Sequence, residues 1–169
     1  MAELCDFVLA RWRALVVSKG TTGDLADAIL HATEPVPLLL DGKLAALTEV
    51  AGEPQFHTIM ATFKRVVNIH RDAADAPAPT RDALTHPAEL ALFDAVESAS
   101  TAVAAAGDTL DHTTALASML ALEAPVAAFF DAVMVNAEDP AERSRRQGLL
   151  GRIAGLFATF ADFSRISSR

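Results

Sequence analysis

The segment EDPAERSRRQGLLGRIAGLFATFADF, residues 138–163, carries the clearest helix signal in the chain. Asp139, Pro140 and Glu142 give an acidic N-cap, a proline at the first helical position and a glutamate at the third, close to a capping box. Apolar side chains then recur at the spacing of a helix face that packs on a core. They are Leu149, Leu150, Ile153, Leu156, Phe157, Phe160 and Phe163. The segment predicts a long amphipathic helix, the eighth in the chain.

Seven more helices are predicted upstream from helical spacing and from glycine and proline breaks. We expect them near residues 4–19, 24–32, 38–50, 54–71, 87–106, 111–122 and 125–135. Tyrosine is absent and no segment alternates convincingly at period two, which argues against a sheet. The predicted fold class is therefore all-α, a bundle of about eight helices in one domain of residues 1–169.

The helices fall into two groups, residues 1–71 and 88–169, joined by residues 72–87, DAADAPAPTRDALTHP. This connection contains three prolines and little hydrophobic pattern. We expect a flexible loop, or a loop that a partner orders.

Charge is unevenly distributed along this acidic chain, whose net charge is −8. Residues 72–140 hold one base and 12 acids, whereas residues 141–169 hold six arginines and two acids. Affinity for nucleic acid depends largely on neutralising phosphates. Only residues 1–71 and 141–169 could therefore supply a cationic patch.

Signatures of catalysis, metal binding and membrane insertion are missing from the sequence. It has neither a GxxxxGK[ST] nor a GxGxxG loop, and its five histidines lack the spacing of metal ligands. The longest stretch without Asp, Glu, Lys or Arg has 11 residues, short of the roughly 18 that a spanning helix needs. The lone Cys5 excludes an internal disulfide. We expect a cytoplasmic binding module with no catalytic residue, no metal site and no membrane contact.

Two segments resemble one known family. Residues 129–150, FFDAVMVNAEDPAERSRRQGLL, followed by LFATFADFS, are similar to the C-terminal end of the β subunit of bacterial glycyl-tRNA synthetase. The matching positions there are Phe129, Phe130, Asp131, Val133, Met134, Val135, Glu138, Asp139, Arg143, Arg146, Ala161, Asp162 and Ser164. In FKRVVNI, the positions are Lys64, Arg65, Val66, Asn68 and Ile69. Arg145 and Gln147 depart from the family, which usually has asparagine and leucine there.

The resemblance implies an α-helical anticodon-binding domain of the DALR type, either excised from a longer β subunit or a truncated relative of one. In that family the β subunit recognises tRNA and a separate α subunit activates glycine with ATP and Mg²⁺. The partners implied are tRNA-Gly, the remainder of the β subunit and the α subunit. No cofactor is expected in this chain.

The residues expected at the tRNA surface are Lys64, Arg65, Asn68, Arg143 and Arg146. Arginine can stack on splayed bases and hydrogen-bond to their edges. Three other roles stay open: a solvated helix face for the arginines, pairing with acids for Lys64 or Arg65, and a helix cap for Asn68. Phe129 and Phe130 are expected in the core. The competing function is a helical module for protein–protein docking.

Overall fold

The computed structural model describes residues 2–32 and 36–167. The helices in this part are α1 Ala2–Ser18, α2 Gly23–Leu30, α3 Leu40–Ala51, α4 Phe56–Arg71, α5 Pro87–Asp108, α6 His112–Leu120, α7 Glu123–Ala132 and α8 Pro140–Ala158. Short 3₁₀ turns occupy Pro37–Leu39, Arg81–Ala83 and Phe163–Arg165. Within the described residues there is no strand, so the prediction of an all-α fold of about eight helices is confirmed.

The centre of the core is the packing of α4 against α8. The rings of Phe63 and Phe157 lie 3.9 Å apart between centroids, and Phe163 packs on Phe157 at 5.2 Å. The apolar face predicted for α8 is buried, with Leu156 partly covered. Each large apolar side chain buried in this way stabilises the fold by about 1.5–3 kcal/mol relative to its exposed state.

Helix α7 ends earlier than predicted, at Ala132 rather than at residue 135. Val133 has extended dihedral angles, φ −136° and ψ 145°. Val133, Val135 and Ala137 are buried, whereas Met134 and Asn136 point to solvent. The segment therefore runs as an extended strip whose alternate side chains reach the core, which β-branched valine suits better than a helix. We name residues 133–137 the connecting strip.

The C-terminal segment ties the first helices to the rest of the domain. The backbone N–H of Asp162 donates to the carbonyl oxygen of Ala28 at 2.8 Å, and that of Ser167 donates to the Asp24 carboxylate at 2.9 Å. A hydrogen bond from the Thr22 hydroxyl is the main cause that lowers the pKa of Asp24 to about 2, and it outweighs the opposing effect of burial. These contacts hold the segment against α2.

The loop of residues 72–87 packs on its own chain. Leu84 is buried, and Pro77 lies so close to Gly148 of α8 that a Cβ atom there would collide with the Pro77 carbonyl oxygen. A glycine on α8 lets the loop backbone approach closely at this point. That the loop is flexible or ordered by a partner stays a prediction.

Two helical stretches in the described part reach the length and mean hydropathy of a membrane span, Pro87–Asp108 and His112–Ala132. The second consists of α6 and α7 in succession. Leu92, Leu116 and Val126 from these stretches are fully buried. Both stretches contribute side chains to the core of this domain, with 28% and 33% of their apolar windows buried.

Replacing Gly148 with alanine tests the packing of the loop on α8. We expect Gly148→Ala to lower the free energy of unfolding by about 1–3 kcal/mol in urea, because the new methyl group meets rigid backbone rather than a movable side chain.

The matched control is Gly155→Ala on the same helix, where a Cβ atom meets open space. That variant should gain up to about 1 kcal/mol from helix propensity. Equal stabilisation by both substitutions would contradict the loop contact.

Candidate nucleic-acid interface

Arg146 lies inside the protein, where its guanidinium joins three elements. Its Nε donates to Glu89 Oε1 of α5 at 2.7 Å, and its Nη1 donates to the Met134 carbonyl oxygen at 3.0 Å. Its Nη2 lies 3.2 Å from Glu142 Oε2. Arg146 is only 9% exposed and Glu89 only 1%. The expectation that Arg146 lies on an exposed RNA surface is therefore wrong, because the buried Glu89 carboxylate requires a cation.

The two glutamates that hold Arg146 occupy equivalent positions in their helices. His86-Pro87-Ala88-Glu89 opens α5 and Asp139-Pro140-Ala141-Glu142 opens α8, so each glutamate is the third residue of its helix. Carboxylates are favoured there by the positive end of the helix dipole. Arg146 thus lies where two helix N-termini meet, and the glutamates offset the cost of its own position near an N-terminus.

Glu89 is held in its ionised form. Burial acts to raise its pKa, but hydrogen bonds from Arg146 and from the backbone N–H groups of His86 and Thr85 outweigh burial, so the pKa lies below its ordinary value. Sequence reasoning missed Glu89, although the repeated Pro-Ala-Glu triplet was a signal for it.

Arg143 supports the connecting strip from the same side as Arg146. Its Nη1 donates to the Ala137 carbonyl oxygen at 2.9 Å, and its side chain is partly exposed. Two arginines of α8 therefore hold the strip by its carbonyl groups. Arg145, which departs from the family pattern, has a buried Nε with no hydrogen-bond partner among the described residues.

Helix α4 presents the other predicted residues. Arg65 is exposed and its guanidinium lies 3.9 Å from the centroid of the Phe130 ring, an attractive cation–π contact. Asn68 is exposed one turn further along. Lys64 donates to the Ile166 carbonyl oxygen at 2.6 Å and so fastens the C-terminal segment. Helix α4 carries Lys64, Arg65 and Arg71 and no acidic residue.

An open groove of about 460 Å³ runs between α4 and the connecting strip. Arg65, Ile69 and Phe130 line one part of it, and residues 131–136 line the rest. Met134 is 73% exposed at its edge. Asn136 accepts a hydrogen bond from Gln147 of α8 at 3.2 Å, which joins the groove wall to α8. We name this feature the Arg65 groove.

The predicted site residues of α4 and α8 come together only in part. Arg65 and Arg143 both contact residues 130–137, from α4 and from α8 respectively. Lys64 and Arg146 instead hold backbone carbonyl groups. Phe130, expected in the core, is only partly buried and forms the floor beneath Arg65. In the sequence, the place of Phe130 near the end of α7 was the available sign that its ring could be partly exposed.

Metal binding has no support in this region. Among the described residues, no group of three His, Cys, Asp or Glu side chains is arranged to hold a metal ion. What the groove offers is a guanidinium, an aromatic ring, a thioether, amides and one carboxylate.

Glu89→Gln tests the buried pair. We expect it to lower the free energy of unfolding by about 3–5 kcal/mol at neutral pH, measured by urea denaturation, because it leaves Arg146 buried without its main partner. The folded-state pKa of Glu89 lies below its ordinary value of 4.5, so the carboxylate's contribution is complete above that pH and falls as the pH drops below it. The difference between variant and wild type should shrink accordingly in acid.

Asp94→Asn is the matched control, since Asp94 lies on the same helix in an exposed pair with Arg81. It should change stability little. Equal losses from the two substitutions, or a gap that does not depend on pH, would contradict the structural role of Glu89.

Comparison with known proteins places the chain in a family. The family described as the DALR anticodon binding domain matches residues 59–163. Similar proteins include the glycine–tRNA ligase β subunits of Aromatoleum aromaticum, 38% identical over 169 residues, and Anaeromyxobacter dehalogenans, 36% identical over 168 residues. The β subunit of Haemophilus influenzae is 37% identical over 165 residues.

These alignments cover 97–99% of this chain but only 24% of each relative. The chain therefore spans about a quarter of the length of the curated relatives it matches, and it corresponds to their C-terminal region. With its all-α architecture, the chain belongs to the DALR anticodon-binding domain family and matches the branch found in glycine–tRNA ligase β subunits.

Proposed function

We propose that this domain binds the anticodon loop of tRNA-Gly in the Arg65 groove, in support of glycylation catalysed elsewhere in the synthetase. The observation that carries the proposal is the exposed Arg65 guanidinium stacked on Phe130 beside an open groove. Single-stranded loops are read by bases that splay out onto aromatic rings and guanidinium planes. Such stacking contributes about 1–3 kcal/mol per base.

The charge distribution favours one orientation of the RNA. The chain as a whole is acidic, but α4 carries Lys64, Arg65 and Arg71 and no acidic residue, and Arg65 is its cation at the groove. Asp131, which also lines the groove, would repel phosphate. The sugar–phosphate backbone would therefore follow α4, near Arg65 and Asn68, and the bases would enter the groove toward Phe130 and Met134.

Asp131 offers a means of reading the bases. Glycine codons all begin with two guanines, so the anticodon carries two cytosines. The exocyclic amino group of cytosine is a donor, and a carboxylate is a suitable acceptor for it. Uracil presents an acceptor at the same place, which a carboxylate would repel. Asp131 would thereby favour cytosine in the groove.

The remaining parts of the reaction belong to other parts of the enzyme in this proposal. Glycine activation with ATP and Mg²⁺ would take place on the α subunit, and the present chain would hold tRNA without a cofactor. A cytoplasmic location follows from this function.

Arg65→Ala tests the stacking platform. We expect it to weaken binding of a tRNA-Gly anticodon stem–loop about tenfold, or 1.4 kcal/mol, in a fluorescence anisotropy titration, because a base loses its stacking plane and a phosphate loses a nearby charge.

Arg81→Ala is the control, because it removes the same charge from an exposed arginine that pairs with Asp94 instead. Affinity should stay within about twofold of wild type. Equal weakening by both variants would mean that only total charge matters and would contradict RNA binding in the Arg65 groove.

Asp131→Asn tests base selection. The wild-type chain should prefer the stem–loop with two cytosines over one with two uracils, and the asparagine variant should lose most of that preference because an amide can donate as well as accept. Glu138→Gln makes the same charge change at an exposed acid outside the groove lining and should keep the preference. A preference that survives Asp131→Asn would rule out this reading.

A further inference from the structure

Helix α1 exposes an apolar stripe to solvent. Four side chains at helical spacing form it, with exposures of 66%, 63%, 41% and 50% for Leu4, Phe7, Val8 and Leu15. We name them the α1 stripe. Large apolar groups gathered on one exposed face indicate a surface that another molecule or segment covers.

The opposite face of α1 already packs on the domain. Leu9, Trp12 and Val16 contact the core. Trp12 Nε1 donates to Asp41 at 2.7 Å, and Arg13 forms two hydrogen bonds with Asp27, at 2.6 and 2.8 Å. These contacts fix the rotation of α1, so the stripe cannot turn inward. A helix that is apolar on both faces is typical of a buried position.

We propose that the α1 stripe packs against the remaining portion of a full-length glycine–tRNA ligase β subunit. The relatives are about four times as long as this chain, which matches their C-terminal region. In such a protein, the preceding polypeptide joins the domain at α1, so its surface is close at hand. The proposal depends on membership of the family and not on tRNA binding.

The charge within the stripe indicates the chemistry of the covering surface. Arg11 is exposed and lies between Phe7 and Leu15 at helical spacing, on the same face. The covering surface should therefore be apolar and carry a carboxylate opposite Arg11. A second copy of this chain fits less well, because pairing α1 with α1 would bring two Arg11 side chains together near the middle of a symmetric contact.

Footprinting with a carbene label tests this assignment on intact proteins. We expect labelling of Leu4, Phe7 and Leu15 to fall severalfold between the 169-residue chain and the full-length β subunit, with no further fall when the α subunit is added. Leu110 and Met134, exposed apolar residues away from α1, should label equally in all three samples. Unchanged labelling of the stripe would overturn the proposal, as would protection that appears only with the α subunit.

Substitution gives a second measurement. In a titration of the 169-residue chain against a β subunit that lacks the corresponding region, Phe7→Ser with Leu15→Ser should weaken association at least about tenfold, since each apolar side chain loses its burial. Leu110→Asn, a matched change at another exposed leucine, should have no effect. Equal association of both variants would count against the stripe. Concentration-dependent dimerisation of the wild-type chain that the double variant abolishes would instead assign the stripe to a second copy.

The proposal for the α1 stripe and the proposal for tRNA binding can be tested independently. The Phe7→Ser, Leu15→Ser variant should bind the anticodon stem–loop like the wild type, because none of the stripe residues lines the Arg65 groove. Loss of RNA binding in that variant would show that α1 contributes to the RNA site and would overturn its assignment to the β subunit.

Discussion

A single buried cation organises the region around the groove. Arg146 satisfies a glutamate from the N-terminus of α5 and one from the N-terminus of α8, and it also holds the carbonyl group of Met134. Burying charges is costly, and a buried pair seldom adds much stability over an apolar contact of the same shape. Its effect here is on geometry: Glu142 reaches Arg146 from within α8, and the hydrogen bond from Arg146 to Glu89 ties the N-terminus of α5 to α8.

The charged residues of α8 and α4 have different roles. On α8, Arg143 and Arg146 hold the connecting strip by its carbonyl oxygens, so the strip keeps its extended course and Met134 faces outward. On α4, the exposed Arg65 contacts a ring instead of a carboxylate. The arginine-rich segment thus shapes a wall of the groove, and the proposed contact with RNA comes mainly from the helix on the other side.

Most of the helices could be predicted from sequence, because caps, prolines and helical periodicity are local signals. The start of α8 at Pro140 was predicted from Asp139, Pro140 and Glu142 together. Predictions failed where distant residues decide the structure. Glu89 and Arg146 are 57 positions apart, and nothing near Arg146 in the sequence distinguishes a buried arginine from a surface one. The end of α7 likewise depends on what Val133 and Val135 bury against. The groove itself was not predicted, although Arg65, one of the residues that line it, was predicted as a site residue.

The two functions weighed from sequence, RNA binding and protein docking, need not exclude each other. The Arg65 groove is polar and lies between α4 and the connecting strip, whereas the α1 stripe is apolar and lies on another helix. A domain carried by a larger synthetase subunit would need both surfaces, one for attachment and one for tRNA.

The most direct test of the division between structural and RNA-binding arginines is an NMR titration that follows the arginine Nε–Hε signals as the tRNA-Gly anticodon stem–loop is added. We expect the Arg65 signal to shift on binding and the Arg146 signal to stay in place, protected from exchange with water by Glu89. A shifted Arg146 signal together with an unmoved Arg65 signal would contradict the account.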